Sequence, residues 1–314
     1  SNFRVELTTE EFIKNSNEIN ISLCSQTANI TPADKKLYSL RDVTATVDNL
    51  SLIASSIMSK KLAIGSDGIV LDVKVGSGAF MKYTEEALDL AKEMVDIGIG
   101  FGRETIALIT NMDEPLGNAI GNALEIKEAI EVLKGKGPKD LYELSLQLGS
   151  RLLILAKRVK SENEGRQLLE KTISSGEAYS KLIQLVQYQG GDIKQIENPE
   201  LLPKAKYVLE VKSTENGFIR RLNAEEVGKC ALKLGAGRET MDSIIDHSVG
   251  IILNKKVDDE VMVGEVLAYI YTNDKLIGEE VKKELENIFI IGHKNKDKKR
   301  LVYGLVSKDG IRIY

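Results

Sequence analysis

The stretch GIVLDVKVGSGAFMKYTEEALDLAKEMVDIGIGFGRETIALIT (68–110) decides the fold. It opens on GIVLDVKV (68–75), an apolar run rich in β-branched residues, which predicts a strand. Gly76-Ser77-Gly78 ends that run. An amphipathic pattern then predicts a helix over residues 84–98, and TIALIT (105–110) predicts a second strand. Strand, helix, strand in this order implies a parallel βαβ unit.

Upstream, Thr8-Thr9-Glu10-Glu11 has the capping-box pattern and predicts a short helix. INISLC (19–24) reads as a strand. Thr31-Pro32-Ala33-Asp34 starts another helix, with a Thr cap and Pro at the first helical position, expected to run to Arg41. After VTATV, a helix is expected from Asn49 to Leu62. Downstream, helices are expected over 118–134, 140–159, 162–174 and 177–189, with Gly135 and Gly190-Gly191 as stops. Two of the five prolines fall in ENPELLPKAKY (197–207), which places a boundary near residue 205. Beyond it, the runs YVLEV, GFIRRL, VGIILNKKV and EVLAYIY predict strands, with helices over 224–234 and 275–288. This is an α+β pattern.

Apolar residues at 42% and charged residues at 29% describe a globular chain with enough material for a core. A net charge of −4 gives no support to nucleic-acid binding, which needs a strongly basic field. No apolar run has the length of a membrane span, and no signal pattern opens the chain. No membrane partner is therefore expected. Cys24 and Cys230 sit far apart in apolar settings, which reads as buried free thiols in a reducing, cytoplasmic compartment. No Cys/His cluster points to zinc, and His247 and His293 are isolated.

The densest polar constellation is YSLRDVTATVDNLSLIASSIMSKK (38–61). Ser56 and Lys60 are four residues apart and share one helix face. Arg41 ends the preceding helix. An Arg fork, a Lys cation and a Ser hydroxyl together suit a planar heterocycle with two carbonyls flanking an N–H. From spacing alone that signal is weak, and the plainer reading is a solvated helix face with ordinary charges.

Three longer stretches carry a resemblance. They are SQTANITPADKKLYSLRDVTATVDNLSLIASSIMSKKLAIGSDGIVLDVKVGSGAFMK (25–82), PLGNAIGNALEIKEAIEVLKGKGPKDL (115–141) and LGAGRETMDSIIDHSVGI (234–251). They resemble the pyrimidine-nucleoside and thymidine phosphorylase family, and the resemblance runs along essentially the whole chain. It implies an α/β fold: a mixed sheet flanked by helices, with a partial small α-helical domain and a C-terminal α+β barrel-like (hammerhead) module. Residues 1–32 and 64–205 would form the incomplete α/β domain. Residues 33–63 would be part of the helical domain carrying the base site, and residues 206–314 would form the C-terminal module.

The resemblance also implies reversible phosphorolysis of uridine, thymidine and deoxyuridine to free base and (deoxy)ribose-1-phosphate. Phosphate is the co-substrate and no organic cofactor takes part. Arg41, Ser56 and Lys60 would bind the base and stabilise its negative charge as it leaves, Tyr38 would pack beside it, and Phe80 would wall the pocket. Asp34 belongs to the same neighbourhood, where helix capping explains it equally well. The carbonyls of Leu116 and Ala119 and the carboxylate of Glu128 would bind a monovalent cation, K+; a plain surface residue of an amphipathic helix is the other reading of Glu128. A homodimer formed through the helical domain is implied as well.

One departure matters. The family's KHSTGG-type and GHTGGT-type phosphate loops are not in this sequence. The chain opens in FRVELTTEEF (3–12), read as the middle of a domain, so it is expected to hold the base side of the site and to be inactive alone. The rivals are a non-catalytic folded fragment that binds pyrimidines weakly, and a phosphoribosyltransferase of similar architecture such as the anthranilate enzyme. The SSIMSK motif argues against the latter. VDDEVMVGEVLAYI (257–270) also has the pattern of a biotinyl or lipoyl carrier hairpin, which would offer Lys255 or Lys256 for modification. The flanking turn of such carriers is absent, so the segment reads as structural.

Overall fold

Strands β1 (Gly68–Val75) and β2 (Glu104–Asn111) lie side by side, parallel, paired from Gly68↔Glu104 to Val75↔Asn111. The computed structural model describes residues 3–25, 31–34, 36–37, 49–238, 240, 243–295 and 300–314. Helix α3 (Thr84–Gly100) connects the two strands, which completes the expected βαβ unit. Two earlier helices are α1 (Thr9–Ile19) and α2 (Leu50–Ala63). On β1, Ile69, Leu71, Val73 and Val75 point to one face and are buried with Leu90, Ala91, Met94 and Val95 of α3 and with Ile53, Ala54 and Met58 of α2. That period-two burial against a helical stripe holds this layer together. A Cβ at Gly98 would lie 2.0 Å from Thr105 Oγ1, so only glycine lets α3 approach β2 this closely.

The other face of the sheet is covered by α5 (Lys139–Leu155), whose Leu144 packs with Leu108 and Leu305. Helices α4 (Asn122–Leu133), α6 (Glu162–Ser174) and α7 (Glu177–Tyr188) follow the predicted order, and a short helix α8 (Lys194–Glu197), not expected, comes after them. A smaller core joins Ile130, Val186 and Ile196.

Past the proline-rich segment come β4 (Tyr207–Lys212), β5 (Gly217–Leu222), β6 (Gly250–Leu253), β7 (Glu260–Val261), β8 (Val266–Thr272) and β9 (Phe289–Gly292). They form the sheets β3-β6-β8-β4 and β7-β5-β9, where β3 is Ala119–Ile120. Helices α9 (Ala224–Lys233) and α10 (Lys275–Ile288) complete a core that includes Val227, Cys230, Val281 and Leu285. The resulting mixed α/β architecture with a smaller C-terminal α+β unit is the fold class the sequence implied.

Two details differ from expectation. INISLC is not a strand: α1 runs through Ile19, and Asn20 ends it in the left-handed conformation (φ 58°). In place of a ladder, the Gln189 side chain accepts from Leu23 N at 2.9 Å and donates to Leu23 O at 2.8 Å. The chain beyond 206 also does not stay in one unit. Strands β10 (Val302–Ser307) and β11 (Gly310–Ile313) return to the first sheet, in the order β1-β2-β10-β11, with β10 antiparallel to β2. In exchange, β3 lends the first half of the chain to the second sheet through its pairing with β6.

Candidate active site

Helix α2 begins where the Asn49 side chain accepts from Leu52 N at 3.1 Å, a side-chain N-cap. Its buried stripe anchors it on α3 and β1, and that fixes the direction of the next stripe round the helix. Ser56 is buried there. Lys60, one turn on, folds back so that its Nζ donates to Ser56 Oγ at 2.9 Å and to Ser56 O at 3.0 Å. The same ammonium is 2.9 Å from Asp34 Oδ2. Residues 32–34 are helical, and Asp34 is 8% exposed. The arrangement therefore brings Ser56, Lys60 and Asp34 together across two separate helical stretches. Tyr38 and Arg41 lie outside the described residues.

Phe80 follows the Gly76–Gly78 turn and is 70% exposed. It lines a cavity of about 310 Å³ with Ile53 and Ile57 of α2, Met81 of the loop, and Asp72 and Lys74 of β1. Ser56 and Lys60 do not line it. Three residues along a helix is roughly 60° short of a full turn, so the Ile53/Ile57 and Ser56/Lys60 stripes are neighbours on α2. Asp72 and Lys74 were not singled out in the sequence. Lys74 Nζ is 2.7 Å from Asp72 Oδ2, and Asp72 also accepts from the hydroxyl of Thr110 on β2. The signal was available: Asp-x-Lys puts two charges on one face of an otherwise apolar parallel strand.

Glu128 on α4 turns its Oε1 onto the backbone N–H groups of Asn118 (2.8 Å) and Ala119 (3.0 Å). Gly117 has φ +70°, and a Cβ there would sit 2.2 Å from Glu128 Oε2. Burial pushes the Glu128 carboxyl above its ordinary range, opposed by those two backbone donors. Beside it, Lys256 Nζ donates to Pro115 O (2.7 Å) and Gly117 O (2.9 Å), and pairs with Asp140 (2.5 Å) and Glu114 (3.3 Å). The reading of Lys256 as a carrier lysine finds no support here, because its ammonium is engaged inside the protein. Among the described residues no group of three or more His, Cys, Asp and Glu side chains has metal-binding geometry. A half-buried carboxylate beside a loop of backbone carbonyls nonetheless has the all-oxygen chemistry that a hard cation takes.

Comparison with known proteins adds a second line. A family model described as "Glycosyl transferase family, a/b domain" matches residues 1–179, and one described as "Pyrimidine nucleoside phosphorylase C-terminal domain" matches residues 218–292. The pyrimidine-nucleoside phosphorylase of Staphylococcus haemolyticus is 52% identical over 288 residues, covering 92% of this chain and 66% of that protein. That of Bacillus subtilis is 49% identical over 306 residues, covering 98% and 70%. This chain belongs to the pyrimidine-nucleoside phosphorylase family. The enzyme of Geobacillus stearothermophilus, at 51% identity over 288 residues, is similar to the same extent. The chain spans about two thirds of the length of these relatives. Among the described residues no helix is long and apolar enough to cross a membrane.

Proposed function

We propose that the protein carrying this chain catalyses reversible phosphorolysis of pyrimidine nucleosides, and that this chain supplies the base side of the site. The observation that carries the reading is the Lys60 ammonium held between Ser56 and Asp34 in the last turn of a helix anchored by its buried stripe. In the reaction, a phosphate oxygen forms a bond to the anomeric carbon as the C–N bond breaks, and the bonding pair leaves on the base. A fixed ammonium near a base carbonyl stabilises that charge as it grows. Ser56 Oγ receives one hydrogen bond from Lys60 and keeps a lone pair for a ring N–H. A base that leaves the lone pair unmatched is disfavoured. Arg41 and Tyr38 complete the base contacts, and Phe80 closes the pocket from the loop side.

The family's K+ would be held by the carbonyls of Leu116 and Ala119 and by Glu128, where a cation offsets the buried carboxylate's charge. Residues 33–63 belong, on this reading, to a small helical domain that pairs two copies, and the enzyme works in the cytoplasm. None of the family's phosphate-contacting motifs stands within the 314 residues, so the base side is what this chain can test. Isothermal calorimetry with uracil is the experiment. Saturable binding that is lost in Arg41→Ala supports the reading, and heat unchanged by that substitution removes it.

A further inference from the structure

A cavity of about 460 Å³ opens between the end of β2 and strand β5, on neither the α2 cluster nor the Glu128 loop. Arg220 and Arg221 of β5 both line it. Consecutive strand residues normally point to opposite faces, but β5 is irregular here. Its pairing with β9 shifts between Ile219 and Arg221, and both arginines are exposed between the buried Ile219 and Leu222. Such a bulge re-aims side chains, and bulges recur next to functional sites. Arg220 is fixed, since its Nε donates to Asn295 Oδ1 at 2.8 Å and Asn295 Nδ2 donates to Asp258 Oδ1 at 3.0 Å. The Arg221 side chain forms no hydrogen bond or ion pair with another described residue, so its fork remains open to the cavity.

A further donor faces the same space. Asn111 is buried at the end of β2, and its Oδ1 accepts from Asp113 N at 2.7 Å, which orients the amide. Its Nδ2 therefore donates to Tyr303 Oη at 2.9 Å. The phenol already accepts, which leaves its proton for a ligand. The two carboxylates at the rim do not cancel this. Glu114 accepts from Val257 N at 2.8 Å and pairs with Lys256. Asp113 Oδ1 accepts from Ser77 N at 3.0 Å, while its Oδ2 is placed to accept from a hydroxyl. Leu222 and Val257 supply an apolar floor.

We infer that this cavity binds a phosphate monoester of a small sugar, with the Arg220 and Arg221 forks and the Tyr303 hydroxyl on the phosphate and Asp113 on a sugar hydroxyl. Planar guanidinium forks match phosphate oxygens, and the volume exceeds what a bare anion fills. The test is calorimetry on this chain with ribose 5-phosphate, set against ribose and inorganic phosphate. Saturable binding of ribose 5-phosphate is expected, weakened at least tenfold in Arg221→Ala and clearly in Tyr303→Phe, with the far-ultraviolet dichroism of both variants unchanged. Lys60→Ala, which disables the base side, should leave it intact. No binding at millimolar ligand, equal affinity in Arg221→Ala, or inorganic phosphate binding as tightly as the sugar phosphate would each overturn the assignment.

Discussion

Lys60 Nζ lies 2.9 Å from Asp34 Oδ2, tying an ammonium on one helix to a buried carboxylate on another stretch of chain. The pair is not a solvated ornament of α2, because Asp34 is 8% exposed and the ammonium is also bonded to Ser56. If Lys60 binds the base as proposed, removing it takes away one charge-assisted hydrogen bond of about 1.5–3 kcal/mol. Uracil affinity should fall at least tenfold in Lys60→Ala. Asp34→Asn, which keeps the shape but releases the ammonium to Ser56 alone, should cost less. Calorimetry with both variants checks the order, and the reverse order would count against Lys60 as the base contact.

Lys256 joins the C-terminal unit to the 114–117 loop and to α5 through Glu114, Asp140 and two backbone carbonyls. Lys256→Met takes a cation away from Glu114, which is 4% exposed, and from Asp140. Loss of one partner from a buried pair costs about 3–5 kcal/mol. Urea unfolding should show a loss of that order, partly restored by adding Glu114→Gln. A loss below about 1 kcal/mol would mean the hub contributes little.

Glu128 gives a pH signature. Its folded-state pKa is raised, chiefly by burial, above the ordinary 4.5. Between those two values the folded form holds more protons than the unfolded form, so stability falls as pH rises from about 4.5 through the raised value. Glu128→Gln keeps an acceptor for Asn118 and Ala119 and removes the charge. Thermal unfolding across pH should therefore show the wild type losing stability relative to the variant over that window. At neutral pH, added K+ should raise the melting temperature of the wild type and not of Glu128→Gln. A flat difference between the two proteins would sink both the shift and the cation assignment.

The two thiols should differ sharply. Burial, helped by Glu284, pushes the Cys230 thiol up to about 12, whereas Cys24 is half-buried. The thiolate is the reactive form. Near pH 8, a disulfide reagent should modify Cys24 first and reach Cys230 only on unfolding. Rapid modification of both in native protein would contradict the packing of α9 against α10.

The regular elements were legible in the sequence. Strand β1 and helices α6 and α10 fall at the predicted residues, because period and cap agree there. INISLC failed because its four apolar residues look alike in a strand and at a helix end, and the deciding partner, Gln189, is remote in sequence. The β10–β11 hairpin, with Lys308-Asp309 as its turn and Ser307 paired to Gly310, was missed although Asp309-Gly310 is a recognisable hairpin signal. At the site, the i,i+4 spacing of Ser56 and Lys60 was readable. The contact with Asp34 was not, since helix capping offered a sufficient local explanation. Nor was the Asp72–Lys74–Thr110 group, whose third member comes from a different strand.

The strand exchange between the two halves has a consequence for synthesis. On the ribosome, β2 emerges with one edge bare, and that edge belongs to β10, which follows β2 only at residue 302. At about 5–20 residues per second, the wait is roughly ten to forty seconds. For that interval β2 has an uncovered row of backbone donors and acceptors along its apolar Ile106–Ile109 run. Residues 302–313 therefore act as a latch: a nascent chain stalled before them carries an open β-edge that invites the same pairing from another molecule.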